Sequence, residues 1–320
     1  MSSPAVVPVQ VAQSVLDARG DAASHILGIT WVLLAGGALV FVAVMALCAL
    51  AIAGPGPLRA WLGRRRFVVV AGIVFPVLAL TALLVYTFGV AAQMVRAQAQ
   101  TAATRIHVTG ELWWWRVRYL DADGGTLLET ANEIRIPVGE PVDLLLASAD
   151  VVHSVWLPSL AGKLDMVPGH VNRLRLRADA AGVYRGQCAE FCGAQHARMV
   201  LHVVAQAPEA YQQWLQGARQ PAAQPQARAA QQGRALFEQA RCNVCHTVRG
   251  TGATGTLGPD LTHVGSRLTL AAGTLPNGIG SLEAWIADPQ HAKLGARMPS
   301  YRRFSGEELR ALAIYLEGLR

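Results

Sequence analysis

The stretch Gly186–Met199, GQCAEFCGAQHARM, gathers an unusual set of side chains. Cys188 and Cys192 stand four apart, His196 follows four later and Met199 three after that. Two thiolates, an imidazole and a thioether are soft ligands, which select copper, zinc or iron–sulfur over magnesium or calcium. The thioether favours copper over zinc, whose structural sites use cysteine, histidine and carboxylate. A second imidazole has to come from elsewhere, and His153, in the run Asp150-Val-Val-His-Ser, is the best candidate. The plainer alternative for C-x-x-x-C alone is a short disulfide outside the membrane. His196 and Met199 at such tight spacing favour metal.

A second constellation is Cys242-Asn-Val-Cys245-His246. This C-x-x-C-H pattern is the attachment motif of c-type haem: the two thiols add to the vinyl groups and His246 becomes the proximal iron ligand. A thioredoxin-like redox pair would need a βαβ context, which the flanking sequence lacks. Met298 is the only methionine after the motif and precedes Pro299, which makes it the candidate sixth ligand, with His263 and His291 as competitors. Methionine–histidine ligation raises the potential of the iron.

These residues need elements to position them. A chain of 320 residues, 52% hydrophobic and only 15% charged, has room for two or three domains and a composition that points to membrane spans. The net charge of +7 comes with no basic run interleaved with aromatics, which argues against nucleic acid. Of five cysteines, four fall in the two motifs, and Cys48 lies in an apolar run where it reads as a small packing residue. Ile26–Ala53 and Phe67–Ala92 are apolar, uncharged and longer than the ~20 residues that a spanning helix needs. Pro76 is tolerable inside the second, because neighbours in a membrane re-satisfy the freed carbonyl. Arg59, Arg64, Arg65 and Arg66 crowd the connection, and the positive-inside rule puts that connection in the cytoplasm. Both termini then face the other side, the periplasm of a bacterium. Met1–Ser24 shows no basic region followed by an apolar one and a cleavage site, so no signal peptide is expected.

From Thr104 onward the pattern changes to short strand-like runs: Arg105–Val108, Trp113–Tyr119, Glu133–Pro137, Val142–Ala147, Val171–Arg177, Val183–Gly186 and Val200–Val204. Turn signals such as Asp123-Gly-Gly separate them, as in a β-sandwich or barrel. Trp113, Trp114 and Trp115 cannot all face one core, since neighbours alternate faces. Gly217–Gln232 is rich in Ala, Gln and Pro and reads as a flexible linker, because Pro221 and Pro225 break a polar helix. Helical stretches are expected over Arg234–Gln239, Ser281–Ile286 and Glu307–Leu319. The division expected is an N-terminal segment 1–25, a helical hairpin 26–94, a β domain 104–212, the linker 217–232 and a helical haem domain 233–320.

The loop Gly186–Met199, together with Asp150–Ser154, Leu157-Pro-Ser-Leu160 and Lys163-Leu-Asp-Met-Val-Pro-Gly169, resembles the dinuclear copper (CuA) region of cytochrome c oxidase subunit II. Gly258-Pro-Asp-Leu261 resembles a haem-packing loop of small cytochromes c. The resemblance implies subunit II of a caa-type haem–copper oxygen reductase. The fold it implies is a transmembrane two-helix hairpin, an all-β cupredoxin-like Greek-key barrel and an all-α class I cytochrome c domain. It further implies that Cys188 and Cys192 bridge two coppers, that His153 and His196 cap one each, that Met199 is a weak ligand and that Glu190 offers its backbone carbonyl. The Glu190 side chain would reach a magnesium ion shared with subunit I, and Trp113 would mark where electrons come in. Haem c would be held covalently by Cys242 and Cys245, with His246 and Met298 axial. Electrons would pass from an external donor, such as a cytochrome c or quinol–cytochrome c reductase, through haem c and copper to the haem of subunit I. Oxygen would be reduced there, with coupled proton pumping, among other oxidase subunits in a bacterial inner membrane.

The chain departs from that family at four points. Glu111-Leu112 stands where His-Gln is common, and His170 stands where relatives place arginine. The aromatic run is Trp-Trp-Trp rather than Trp-Tyr-Trp. Phe67–Ala92 holds no acidic residue, so the glutamate associated with proton uptake is not carried over. The spans contain no histidine, so the oxygen site belongs to a partner. A copper subunit of a nitric oxide reductase is the nearest alternative. Nitrous oxide reductase would need a further large domain, and a copper-delivery protein would leave the haem motif and the tryptophans unexplained.

Overall fold

The computed structural model describes residues 11–97 and 104–320. Residues 1–10 and 98–103, part of the expected N-terminal segment and the junction after the second span, lie outside the described residues. The chain forms two compact units, Ser24–Thr101 and the remainder.

The first unit is helical. Helix α1 (Asp21–Ala53) leads through α2 (Gly56–Leu62) to α3 (Arg65–Val69), a π-helical stretch (Val70–Val74) and α4 (Phe75–Ala97). Two of these runs, Asp21–Ala53 and Arg65–Arg96, are long and apolar enough to cross a membrane. Both are longer than expected, because polar residues at the ends continue the helical hydrogen bonding beyond the apolar stretch. Pro76 lacks an amide hydrogen and crowds the carbonyl of Gly72. The π stretch lies on the N-terminal side of that point, and its wider turn relieves the clash. Cys48 is exposed on α1.

In the second unit, strands β1 (Val11–Ala12), β2 (Thr104–Glu111), β3 (Trp114–Leu120), β4 (Thr126–Ala131), β5 (Glu133–Pro137), β6 (Val142–Ser148), β7 (His153–Trp156), β8 (Lys163–Met166), β9 (Asn172–Leu176), β10 (Gly182–Cys188) and β11 (Val200–Gln206) make two sheets. One runs β5-β11-β10-β7-β8, with β1 added beside β10; the other runs β4-β3-β2-β6-β9. β2 pairs in parallel with β6, and β5 with β11, so the chain crosses between sheets in the cupredoxin-like manner expected. Every second residue of β2 and β3 points inward: Ile106, Val108, Trp115 and Val117 have no exposed surface. Trp115 alone of the three tryptophans is in the core, and Trp113 and Trp114 are half-buried.

Helix α5 (Pro208–Ala218) closes the barrel, with the Trp214 ring 5.3 Å from that of Tyr119. It is followed by the helical domain: α6 (Arg228–Gln239), α7 (Ile279–Ala287), α8 (Pro289–Ala292) and α9 (Gly306–Glu317). The stretch 217–232 expected as a flexible linker is a correction. Helix occupies both of its ends, and Ala222 between them is buried with its N–H on Arg249 O at 2.9 Å. Pro221 and Pro225 separate the two helices without excluding them. The Arg249 guanidinium donates to the carbonyls of Ala218 and Arg219, which satisfies acceptors that the end of α5 leaves open.

Helices α6 and α9 cross where Gly233 meets α9. A Cβ on Gly233 would collide with Ala311 O, so this crossing requires glycine. Gly233→Ala is expected to destabilise the helical domain by about 1–3 kcal/mol through overpacking, read as an earlier transition in thermal unfolding. An unchanged transition would contradict this close packing.

Candidate metal centres

The end of β10, the loop after it and the start of β7 bring one donor set together. Cys188 Sγ and Cys192 Sγ are 3.8 Å apart. His153 Nδ1 lies 3.9 Å from Cys188 Sγ and His196 Nδ1 lies 3.6 Å from Cys192 Sγ. Met199 Sδ is 3.9 Å from Cys192 Sγ, and Glu190 O is 3.2 Å from Cys188 Sγ. All six residues expected from the sequence therefore converge. Both cysteines, His153 and Met199 are buried, while His196 and Glu190 are half-buried.

The loop is held from outside. Asp150 Oδ1 lies 2.8 Å from His153 Nε2, and Asp150 Oδ2 accepts from Leu112 N at 2.9 Å. One carboxylate thus orients the imidazole, turning Nδ1 to the sulfurs, and ties down the turn before Trp113. Trp113 Nε1 donates to Cys192 O at 2.8 Å. Asp150 is a supporting residue that the sequence reading passed over, although its spacing of three from His153 was visible.

Burial raises the Cys188 thiol, but the hydrogen bond from His153 and its backbone contacts outweigh that and bring it down to about 7. Cys192 goes the other way, raised by burial and by the neighbouring Cys188 charge. On His153, burial is outweighed by Cys188 and Asp150, which raise it. Two sulfurs at this separation, two imidazole nitrogens, a thioether and a carbonyl fit soft metal ions better than a hydrogen-bonded thiol pair, since metal removes the repulsion that keeps Cys192 protonated.

The second donor set lines a cavity of about 390 Å³. Cys242, Cys245, His246 and Met298 all face it, whereas His263 and His291 do not line it. His263 Nε2 instead lies 3.1 Å from Gln220 O. Burial lowers His246 below the ordinary histidine value, so it is a neutral imidazole. Its Nδ1 donates to Pro259 O at 2.8 Å, leaving Nε2 for a metal. A Cβ on Gly258 would lie 2.5 Å from His246 Cε1, so the Gly258-Pro259 pair lets the loop lie flat on the ring. Arg267 also lines the cavity, and its buried Nε has no hydrogen-bond partner among the described residues. A cavity with paired thiols, an imidazole, a thioether and arginines in its wall fits haem, which is apolar over its face and anionic at one edge.

Trp113 and Trp114 form part of the same cavity wall. Trp113 thus touches both regions: its indole N–H is on the Cys192 carbonyl and its ring borders the haem cavity. Arg116 supports this junction. It is buried, with Nε on Glu111 Oε1 at 2.6 Å, Nη1 on Glu129 Oε1 at 2.5 Å and Nη2 on Thr256 O at 2.9 Å, and its guanidinium lies 4.8 Å over the Trp114 ring. Glu111, the departure noted in the sequence, serves as the partner of this buried cation.

Comparison with known proteins followed the same division. A family model described as cytochrome c oxidase subunit II, periplasmic domain, matches residues 116–206, and one described as cytochrome c matches residues 230–320. A cytochrome c oxidase subunit 2 of Alkalihalophilus pseudofirmus is 42% identical over 215 residues, covering 67% of this chain and 61% of that protein. One of Bacillus subtilis is 31% identical over 225 residues, covering 67% and 62%. The chain therefore spans about three fifths of the length of these relatives. The solved periplasmic domain of subunit II of cytochrome oxidase of Bradyrhizobium japonicum is similar at 28% identity, with 38% of this chain and 96% of that one covered and a TM-score of 0.35.

Metal binding requires deprotonated thiols and neutral imidazoles. The apparent copper affinity of the apoprotein is therefore expected to fall as pH drops, by about tenfold per unit above the Cys188 value of about 7, where only the raised Cys192 thiol must lose a proton, and more steeply below it, where both thiols must. Chelator competition across that range measures it; a flat profile would contradict a thiolate donor set.

Proposed function

Because this chain belongs to the cytochrome c oxidase subunit II family and carries a cytochrome c domain behind the copper domain, we propose that it is the electron-accepting subunit of a caa-type respiratory oxygen reductase. The first family implies dinuclear copper and the second implies haem, and the chain is a membrane protein with two long apolar helices. The observation that carries the proposal is the position of Trp113, hydrogen-bonded to Cys192 on one side and bordering the cavity of Cys242, Cys245, His246 and Met298 on the other.

The residues have these roles in the proposal. Cys188, Cys192, His153, His196, Met199 and the Glu190 carbonyl would hold two coppers. Cys242, Cys245, His246 and Met298 would hold haem, the two cysteines through covalent attachment. When bound, these groups supply one-electron transfer, from an external donor by way of haem and copper to the haem of subunit I. That subunit reduces oxygen with coupled proton pumping. Asp150 keeps His153 oriented in either oxidation state, and the buried barrel end excludes water, so little rearrangement accompanies transfer. Exposed Val151, Val152, Val167, Val171 and Phe191 in the loops at the copper end support docking against apolar surface of subunit I, where the Glu190 carboxylate is available to magnesium.

The domain division belongs to the same proposal: a segment 1–25, spans within 26–94, a copper domain 104–212 and a haem domain 233–320, with 217–232 joining the last two. The arginines at 59 and 64–66 support a cytoplasmic connection in the bacterial inner membrane, with both termini periplasmic. The purified complex with its partner subunits is expected to consume oxygen when given a reduced cytochrome c. Consumption of nitric oxide without oxygen consumption would assign it to the nitric oxide reductases instead.

A further inference from the structure

One buried cation lies at the junction of the two donor sets. Lys293 is 3% exposed and lies between α8 and the Met298 loop. Its Nζ donates to Trp113 O at 2.6 Å, to Arg198 O at 2.7 Å and to Ala271 O at 3.0 Å. An ammonium has three donors, and all three are used. The three carbonyls belong to three different segments: the turn into β3, the turn that carries His196 and Met199, and a loop of the haem domain itself. Among the described residues no carboxylate forms an ion pair with Lys293, and its hydrogen bonds all go to carbonyl dipoles.

Further contacts near Lys293 also run between the two domains. Gln195 Nε2 donates to Leu294 O at 2.9 Å, Arg198 donates to Ala292 O, and Val200 N donates to Ala272 O at 3.0 Å. The Trp113 ring fills the space between Gly193 of the copper loop and Gly295 of the haem domain, where added Cβ atoms would lie 3.3 Å and 3.1 Å from it. At the far side of the same interface, Leu268 N donates to Glu133 Oε2 at 2.8 Å. Most of these acceptors are backbone carbonyls that water would satisfy equally well if the domains parted. Lys293 differs, because its ammonium is buried and donates to carbonyls of both domains at once.

We propose that Lys293 is a positioning residue that locks the haem domain onto the copper loop, holding the Met298 segment and Trp113 in fixed register with Cys192. The function proposed above is the premise of its role in electron transfer, while the docking itself is independent of that premise. A fixed register makes electron transfer within the chain a property of one geometry, with no search by a tethered domain. Charge-assisted hydrogen bonds are the strong ones, and a ring of three carbonyls left facing an apolar side chain would be unmatched, so the lock is sensitive to this one residue.

The test uses the full chain in its complex, comparing Lys293→Met with the unsubstituted protein. Lys293→Met keeps the length of the stem and removes all three donors. Amide exchange at Leu268 and Val200 is expected to accelerate at least about tenfold, whether or not metals are loaded. In the loaded complex, the rate of electron transfer from haem to copper after flash reduction is expected to fall by a similar factor, with both midpoint potentials and both metal spectra unchanged. Should Lys293→Met fail to accumulate, Lys293→Gln, which retains two N–H donors without charge, makes the same comparison and is expected to fall between. Wild-type exchange and a wild-type transfer rate in either variant would overturn the proposal. If the unsubstituted complex showed no copper or haem spectrum, the proposed function would fail, and the exchange measurement would still decide the docking.

Discussion

Two sulfurs held 3.8 Å apart at the water-poor end of a barrel are the constraint to which the rest of the unit responds. Left as thiols they are badly matched, since each thiolate disfavours the other and burial disfavours both. The structure tolerates them because a loop of only a few residues is fixed at both ends, by β10 pairing with β11 and β7 and by Val200 opening β11. Asp150 orients one imidazole and Trp113 holds the Cys192 carbonyl. A site so prepared suits soft metal, and ligands held in place from outside are what electron transfer needs.

The same turn that steadies the sulfurs also meets the second domain. Asp150 holds the amide of Leu112, and the next residue, Trp113, contacts the copper loop through its indole and the haem cavity through its ring. Arg116 lies over the Trp114 ring and donates one hydrogen bond to the Thr256 carbonyl, while Glu111 and Glu129 accept its other two and balance its charge. The junction is therefore polar and directional around an aromatic centre. An apolar interface of equal area would hold the domains without fixing their register.

Both donor sets could be read from the sequence because their ligands are close in the chain or carry a rare residue type. Cys188 to Met199 span one loop, Cys242 to His246 one turn, and Met298 was singled out because no other methionine follows the haem motif. His153 was reachable because Asp150-Val-Val-His belongs to a recognisable run. The strands β2, β3, β5, β6, β9, β10 and β11 were also legible. β1, β4, β7 and β8 were missed, because short strands with mixed polarity carry no clear periodic signal and are specified by their partners. The linker was misread for a related reason: its composition is that of a free chain, and it is pinned by residues brought in by tertiary folding, Arg249 and His263 among them. Lys293 and Arg116 were invisible. A lone lysine or arginine gives no local sign that it is buried, and the carbonyls that receive Lys293 lie 22 to 180 positions away.

The central claim is that Cys188, Cys192, His153, His196 and Met199 hold two coppers that share one unpaired electron. Electron paramagnetic resonance on the full chain loaded with copper and haem tests it most directly. The account predicts hyperfine splitting shared equally by two copper nuclei. A spectrum from a single copper nucleus, or protein that retains no copper, would contradict it.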